Sequence, residues 1–286
     1  MKGYKAFHKG LICKDKQYKE NTVFEEKEAI PCVTGMHFCE NPMDVLTYYP
    51  LIDDDGEFSD FAEVEAPDEV KTDNDKKFCT TRLKIGAKLS FAGFINACVD
   101  FILEKARYES DECDEDSAKI GSSGYSAKIG SSGDYAQIGS SGYSAKIGSS
   151  GYSAQIGSSG DYAQIGSSGY SAQIGSSGDY AQIGSSGYSA KIGSSGYSAQ
   201  IGSSGDSAKI KCTGDDSVVC CAGYNSCASA KKGCWITLSE WKYSKEKGRF
   251  VPVCVKTEYV DGEKIKEDTM YSLKDGEFVE VCEHNE

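Results

Sequence analysis

The stretch Ile120-Gly121-Ser122-Ser123-Gly124-Tyr125-Ser126-Ala127-Lys128 is one of a series of nine-residue units that decide the fold of this chain. Its isoleucine recurs every nine residues as far as Ile210, and an alanine stands two positions before each isoleucine. A strict short period is typical of a solenoid, in which each unit contacts only its neighbours. We therefore predict a mainly β protein built around a β-solenoid.

Each Ala-(Lys/Gln)-Ile segment alternates between apolar and polar side chains. This pattern predicts a short strand with Ala and Ile facing the core and Lys or Gln facing outward. The two glycines of Gly-Ser-Ser-Gly predict a turn that needs either a positive φ or close backbone contact. One unit is too short to enclose a core, so a coil contains two units in a flat roll or three in a prism, and we prefer two. The expected core is an isoleucine ladder beside an alanine ladder.

The repeat continues in altered form after Ile210. Gly214 and Gly223 keep the register of the earlier glycines, and Val219 takes an isoleucine position. We predict four parts of the chain: an acidic α+β domain, an acidic joint, the nonapeptide-repeat solenoid and a small antiparallel β cap, at residues 1–110, 111–116, 117–230 and 231–286.

Local patterns predict the elements of the two flanking parts. Asn41 and Pro42 have the types expected at the start of a short helix, as N-cap and first-turn residue. Apolar periodicity predicts a longer helix over residues 90–107. Alternation predicts strands at residues 4–7, 35–39, 61–66, 78–85, 235–238 and 250–255.

The charge of the chain is distributed unevenly. The net charge is −13. Residues 1–116 contain 26 Asp and Glu against 15 Lys and Arg, whereas residues 117–210 contain five lysines and four aspartates. The repeat region is nearly neutral and has no basic stripe, which argues against direct binding of nucleic acid.

The sequence predicts a cytoplasmic protein. No apolar segment follows Met1 as in a secretory signal, and no segment has the apolar length of a membrane span. Thirteen cysteines without a signal indicate a reducing cytosol and free thiols. Five of these cysteines cluster where the repeat decays, but without a CxxC pair or a nearby histidine. We predict no metal, no cofactor and no membrane partner.

Two known uses of short-period solenoids fit the repeat poorly. The calcium-binding RTX rolls have a recurrent aspartate where this chain has Ser126, Tyr135 and Ser144. Ice-binding faces have regular Thr or Ser/Thr arrays, whereas the predicted outward residues here are Lys, Gln, Tyr and Ser. The repeat therefore indicates a scaffold without calcium chemistry.

The tyrosines of the repeat allow two interpretations. As an aromatic stripe, they would stack on a partner. As a ladder of stacked rings, they would support the corner of the coil, and we prefer this second interpretation because the rings alternate between two adjacent positions. The candidate partner-binding residues are Tyr125, Tyr143, Tyr152, Tyr170, Tyr188 and Tyr197.

Several segments resemble a known family. Tyr4-Lys5-Ala6-Phe7, Cys32-Val33-Thr34-Gly35-Met36-His37-Phe38-Cys39 and Tyr48-Tyr49 are similar to an uncharacterised domain family of phage and prophage genes. Its members often carry Ile-Gly-Ser-Ser-Gly arrays and end in a segment like Gly262-Glu263-Lys264-Ile265-Lys266. The resemblance covers all three parts of the chain and implies a mobile-element origin and an intracellular host.

A second resemblance concerns enzymes. Gly35-Met36-His37-Phe38 with the following Tyr48-Tyr49 is similar to the Gly-Ile-Tyr-Phe…Tyr stretch of ADP-ribosyltransferases, although His37 stands in place of a tyrosine. The resemblance implies that His8 would orient a nicotinamide dinucleotide and that Glu63 or Glu65 would stabilise the reacting ribose. The candidate catalytic residues are His8, His37, Tyr49 and Glu63.

Three functions are therefore open. We expect a non-enzymatic phage or prophage scaffold that binds a host protein, such as a defence component. The rod would hold two end domains apart or present a flat side to this partner. The alternatives are an ADP-ribosyltransferase-like enzyme in the N-terminal domain and a structural phage component that assembles with further copies of itself through the solenoid.

Overall fold

A computed structural model of the chain describes residues 1–74, 76–106 and 116–281. It consists of an N-terminal domain, a β-solenoid and two C-terminal hairpins that extend the solenoid. The mainly β fold class with a nine-residue-repeat solenoid is confirmed. The predicted acidic joint lies outside the described residues except for Asp116.

The N-terminal domain is built on a seven-stranded sheet with the order β4-β9-β6-β1-β5-β8-β7. Its strands are antiparallel, and β2 and β3 form a separate small hairpin. A 3-10 helix, Pro42–Thr47, begins after Asn41, whose side chain accepts a hydrogen bond from Met43 N as predicted for an N-cap. The helix α1 spans Phe91–Ala106. The strands are β1 Lys2–Phe7, β2 Ile12–Cys13, β3 Lys16–Gln17, β4 Thr22–Glu25, β5 Met36–Cys39, β6 Asp60–Glu65, β7 Lys71–Thr72, β8 Lys77–Thr80 and β9 Arg82–Leu89.

One strand prediction was wrong in this domain. The single strand expected over residues 78–85 is two strands, β8 and β9, which separate after Thr80. They occupy different places in the sheet, because β8 pairs with β5 whereas β9 pairs with β4 and β6. No glycine or proline stands between Phe78 and Ile85, so the sequence pattern alone did not reveal the change of partner.

The solenoid contains two repeats per coil, as preferred. Each strand pairs in parallel with the strand 18 residues later, so that Ile120 lies beside Ile138 and Ile129 beside Ile147. Alternate strands therefore form two sheets on opposite sides of a flat coil. The strands are β10 Lys119–Ser122, β11 Lys128–Ser131, β12 Gln137–Ser140, β13 Lys146–Ser149, β14 Gln155–Ser158, β15 Gln164–Ser167, β16 Gln173–Ser176, β17 Gln182–Ser185, β18 Lys191–Ser194, β19 Gln200–Ser203, β20 Lys209–Cys212, β21 Val218–Cys221 and β22 Cys227–Ser229.

The core of the coil has three inward columns rather than the two expected. Ala and Ile are buried as predicted, for example Ala172 and Ile174. The first serine of each Gly-Ser-Ser-Gly continues the alternation inward, and Ser176 is fully buried. Its hydroxyl oxygen, like that of Ser194, has no hydrogen-bond partner among the described residues. The sequence did not reveal the serine column, because two closely spaced glycines indicate a turn for the whole Gly-Ser-Ser-Gly segment.

The second glycine of each unit is required by close backbone contact. A Cβ on Gly178 would overlap the carbonyl oxygen of Gly160 in the preceding coil, and the same overlap recurs along this column. A positive φ occurs two residues later instead, at Tyr180 (56°) and at Ser189 (54°). The turn therefore has both features considered from the sequence: close backbone contact at the second glycine and a positive φ two residues later.

The solenoid is closed at its C-terminal end by two hairpins. The first half of β23 (Trp235–Ser244) still pairs in parallel with β21, so the coil continues to Leu238 rather than ending near residue 230. Strand β24 (Arg249–Tyr259) then pairs antiparallel with β23. Strands β25 (Tyr271–Lys274) and β26 (Glu277–Glu280) extend the other sheet. The C-terminal edge of each of the two sheets is thus closed by a hairpin.

The N-terminal domain lies along the side of the solenoid. Helix α1 packs over β10, β12, β14 and β16, which belong to the nine-stranded sheet. The first glycine of the repeat makes this approach close. A Cβ on Gly139 would lie 3.0 Å from Ile102 Cβ, and a Cβ on Gly193 would lie 2.8 Å from ring atoms of Phe91. The glycine column is a shallow channel that receives the apolar side of α1.

Polar contacts extend the same interface. Gln137 accepts a hydrogen bond from Asn41 Nδ2 at 2.7 Å, and Gln173 accepts one from Leu51 N at 2.8 Å. Near the far end, Lys211 forms an ion pair with Glu57 at 3.0 Å. The expectation that the rod holds two domains at its two ends was therefore wrong, because the apolar face of α1 is buried on the flank of the coil.

Candidate functional site

The N-terminal domain contains a cavity of about 470 Å³. Its wall is formed by residues of β1 and β5, the end of the 3-10 helix, the β2–β3 hairpin and the loop at residues 32–35. These elements come from five separate parts of the first 80 residues, so no single motif in the sequence marks the cavity. It has the size of an ordinary small-molecule site.

Lys5 is the most unusual residue of this cavity. It lies in the middle of β1, and only 6% of its surface is exposed. Its Nζ donates a hydrogen bond to the carbonyl oxygen of His37 at 2.8 Å and lies 5.5 Å from the ring centre of Tyr18. Among the residues the structure describes, no carboxylate forms an ion pair with it. Burial lowers the pKa of Lys5 from its ordinary value.

Three further lysines and several rings surround Lys5. The Nζ of Lys77 lies 4.4 Å from the ring centre of Tyr48, and Lys16 forms an ion pair with Glu26. Among the described residues, the cavity is lined by Lys5, Lys14, Lys16 and Lys77 but by only two carboxylates, Asp15 and Glu26. Its lining is thus positively charged, within a domain whose overall charge is strongly negative.

The structure brings together three of the four candidate catalytic residues. His37 and Tyr49 line the cavity, and the exposed His8 lies with its ring centre 5.0 Å from that of Tyr49. Glu63 lies elsewhere, in a separate depression of about 480 Å³ that it shares with Glu65 and Lys84. The constellation implied by the enzyme resemblance is therefore divided between two places.

His37 and Tyr49 are engaged in local contacts. The Nε2 of His37 accepts a hydrogen bond from Cys32 N at 3.2 Å, and the Tyr49 hydroxyl donates to Cys13 Sγ at 3.1 Å. Burial, together with the charges of Lys77 and Lys5, lowers the pKa of His37. The imidazole is therefore held neutral near pH 7 and acts as an acceptor that fixes the loop at residues 32–35.

The repeat tyrosines form two ladders on opposite edges of the coil. One contains Tyr125 and Tyr143, whose ring centres are 5.2 Å apart, and it continues along Tyr162, Tyr180 and Tyr197. The other contains Tyr135, Tyr152, Tyr170 and Tyr188. The six candidate partner-binding tyrosines are thus divided equally between two edges. The rings stack on one another, as preferred in the sequence analysis, while their outer surfaces remain exposed.

The aspartates of the repeat connect successive coils. Asp179 Oδ1 accepts a hydrogen bond from Tyr197 N at 2.8 Å, and Asp134 Oδ1 accepts one from Tyr152 N at 2.7 Å. Each carboxylate thus satisfies a backbone N–H in the coil that follows. The aspartates thus have a structural role between coils.

The outer face of the eight-stranded sheet is open over the solenoid. It contains Lys128, Lys146, Gln164, Gln182 and Gln200 in one column, with a parallel column of Gly130, Gly148, Gly166, Gly184 and Gly202. A Cβ placed on any of these glycines would meet no atom of the described residues within 4 Å. We call this surface the open face. The channel along it has a volume of about 1120 Å³.

The cysteine-rich end of the solenoid is structural. Cys212, Cys221, Cys227 and Cys234 are buried, and burial raises the pKa of Cys212 and of Cys227 to about 11. Their thiols are therefore protonated at neutral pH. Over residues 1–74, 76–106 and 116–281, no three His, Cys, Asp or Glu residues are grouped to hold a metal ion.

Residues 1–97 match the model of a family described as a domain of unknown function (DUF7666). This range contains the whole seven-stranded sheet, the cavity and the first part of α1. No curated protein and no solved structure matches the chain significantly. None of the helices in the described residues combines the length and the apolar character needed to cross a membrane.

Proposed function

We propose that the protein is a non-enzymatic interaction scaffold whose open face binds an apolar helix of a partner protein. The observation that carries this proposal is the equivalence of the two solenoid faces. Both present a column of Lys or Gln beside a column of glycine. On the nine-stranded sheet, which we call the covered face, this glycine channel receives α1. The open face offers the same channel to a helix from outside the chain.

The dimensions of the covered face support a helix as the occupant. Gly139 and Gly193 are three coil steps apart, which is about 14 Å at the usual strand spacing. Their partners Ile102 and Phe91 are separated by about 16 Å along a helix. The spacing of the two glycines and the spacing of their two partners agree when the helix axis lies nearly parallel to the solenoid axis. The open column from Gly130 to Gly202 is about 19 Å long, which corresponds to a helix of about 13 residues.

The charges along the open face define the chemistry of the partner. Lys128 and Lys146 are exposed at its N-terminal end, whereas Val218 and Trp235 are exposed at the other end. A complementary helix has small or branched apolar residues at helical spacing and acidic residues at the end that meets the lysines. The resemblance of residues 4–7 and 32–39 to proteins of phage and prophage genes favours a host protein as this partner, such as a component of a defence system.

The test is a capture experiment with matched variants. Gly166→Leu and Gly184→Leu place side chains in the open channel at positions where a Cβ has no described atom within 4 Å, whereas Tyr188→Ser changes an exposed edge ring. If the open face is the binding site, host proteins captured by the wild type and by Tyr188→Ser are lost with both glycine variants. Capture that survives both glycine variants would contradict the proposal, and so would self-association through this face in light scattering.

A further inference from the structure

We propose that the Lys5 cavity binds a small anionic ligand that carries a planar ring, with the size of a nucleoside monophosphate. This site is independent of the open face, since the cavity is lined entirely by residues 4–77 and the open face by residues of the solenoid. The inference rests on the charge of the cavity, on its rings and on the exceptional burial of one lysine.

The buried lysine is the first argument. An ammonium group that is removed from water needs an opposite charge or several acceptors, and otherwise its burial is costly. The acceptors of Lys5 are His37 O and the Cys13 sulfur, and its Nζ lies over the rings of Phe7 and Tyr18. An anionic group in the adjoining cavity would supply the missing opposite charge and accept the remaining N–H.

The other cations of the cavity are the second argument. Lys77 is half-buried with its Nζ over the Tyr48 ring, and Lys14 lines the same space. Glu26 is already paired with Lys16, which leaves Asp15 as the one other carboxylate among the described lining residues. Three lysines against this single carboxylate leave the cavity with positive charge, as expected of a site for a phosphate or carboxylate group.

The rings are the third argument. Tyr18, Phe38, His37, Tyr48 and Tyr49 all line the cavity. Flat side chains provide faces on which a heterocycle stacks, and the neutral His37 adds no competing charge. A volume of about 470 Å³ leaves room for one ring and one anionic group.

The experiment measures the binding of four nucleoside monophosphates (AMP, GMP, CMP and UMP) to the full chain by calorimetry at neutral pH. Adenosine and inorganic phosphate serve as the two halves of the ligand. At least one monophosphate should bind with a Kd below about 1 mM, and at least tenfold more tightly than either half. Lys5→Met should weaken this binding about tenfold or more while leaving the weak binding of adenosine unchanged.

Two further variants test whether binding depends on the charge of this cavity rather than on surface charge elsewhere. Lys77→Gln, which changes a cation at the other side of the cavity, should also weaken the monophosphate, whereas Lys84→Met, an exposed lysine in the separate depression, should not. Thermal melting verifies that each variant is folded. The proposal is overturned if no monophosphate binds at about 5 mM. Binding that is unaffected by both Lys5→Met and Lys77→Gln would overturn it as well.

Discussion

Gly193 lies directly beneath the ring of Phe91, so closely that a single added carbon would stand 2.8 Å from it. Phe91 in turn stacks on Phe58, with ring centres 4.3 Å apart. The first glycine of the nine-residue unit thus permits the N-terminal domain to pack on one side of the coil. On the other side of the coil, a Cβ on the equivalent glycine, such as Gly184, would have no atom of the described residues within 4 Å.

This difference predicts opposite outcomes for two identical substitutions nine residues apart. Gly193→Leu must displace both rings and should lower the free energy of unfolding by about 1–3 kcal/mol. Gly184→Leu, on the open face, should change it by no more than about 0.5 kcal/mol. Chemical denaturation measures both values, and limited proteolysis of residues 1–106 shows whether the domain has loosened. Equal stability of the two variants would contradict the packing described here.

The tyrosine ladders should contribute to stability according to the number of stacked neighbours. Tyr170 lies between Tyr152 and Tyr188, at 5.0 and 4.8 Å, whereas among the described residues Tyr125 stacks only on Tyr143. Each contact contributes about 0.5–1.5 kcal/mol, so Tyr170→Ser should cost about twice as much as Tyr125→Ser. Urea denaturation of both variants checks the ratio. A negligible cost at Tyr170 would show that the rings are free for another role.

The buried serine column predicts a stabilising substitution. Ser176 is fully buried, and its hydroxyl has no partner among the described residues, so Ser176→Ala removes a polar group that gains nothing from burial. The free energy of unfolding should rise by up to about 1 kcal/mol. Ser186→Ala, on the exposed side of the turn, is the control and should have no effect. A clear loss of stability in Ser176→Ala would show that the column makes contacts the structure does not contain.

Lys5 predicts an unusual dependence of stability on pH. Its pKa in the folded protein is lowered by burial, while in the unfolded chain it returns to about 10.5. Between these two values the unfolded state binds more protons, so the contribution of Lys5 to stability rises with pH and is lost as pH falls. Lys5→Met should therefore melt at a higher temperature than the wild type at neutral pH, and this advantage should shrink towards pH 10.5. A variant that melts lower at neutral pH would contradict the burial of an unneutralised lysine.

Most of the solenoid could be predicted from the sequence because of its nine-residue period. The distances between Ile, Ala and the glycines were sufficient for the strands and the turns, because every unit interacts with an equivalent copy of itself. The serine column and the position of the positive φ were missed, since both lie inside the segment that the pattern assigns to a turn. Val219 and Gly214 stand at isoleucine and glycine positions of the repeat, so the continuation of the coil beyond Ile210 could be predicted as well.

The placement of the N-terminal domain could not be predicted in the same way. Chemically equal units give the coil two equal faces, and the repeat contains nothing that selects one of them. The selection depends on particular contacts, such as Lys211 with Glu57 and Gln173 with Leu51, which join residues more than 120 positions apart. The cavity was missed for a similar reason: alternation places Lys5 on one face of β1, but the burial of its side chain depends on the distant hairpin and loop.

The central claim, that the open face binds a helix, is tested most directly by site-specific photo-crosslinking. A photoreactive residue replaces Gln182 on the open face in one variant and Tyr188 on the coil edge in another, and the crosslinked peptides are identified by mass spectrometry. We predict that the Gln182 variant crosslinks to the apolar side of a helical segment in a partner protein and that Gly166→Leu abolishes this product. Crosslinks that form only from Tyr188, or that persist with Gly166→Leu, would contradict the account.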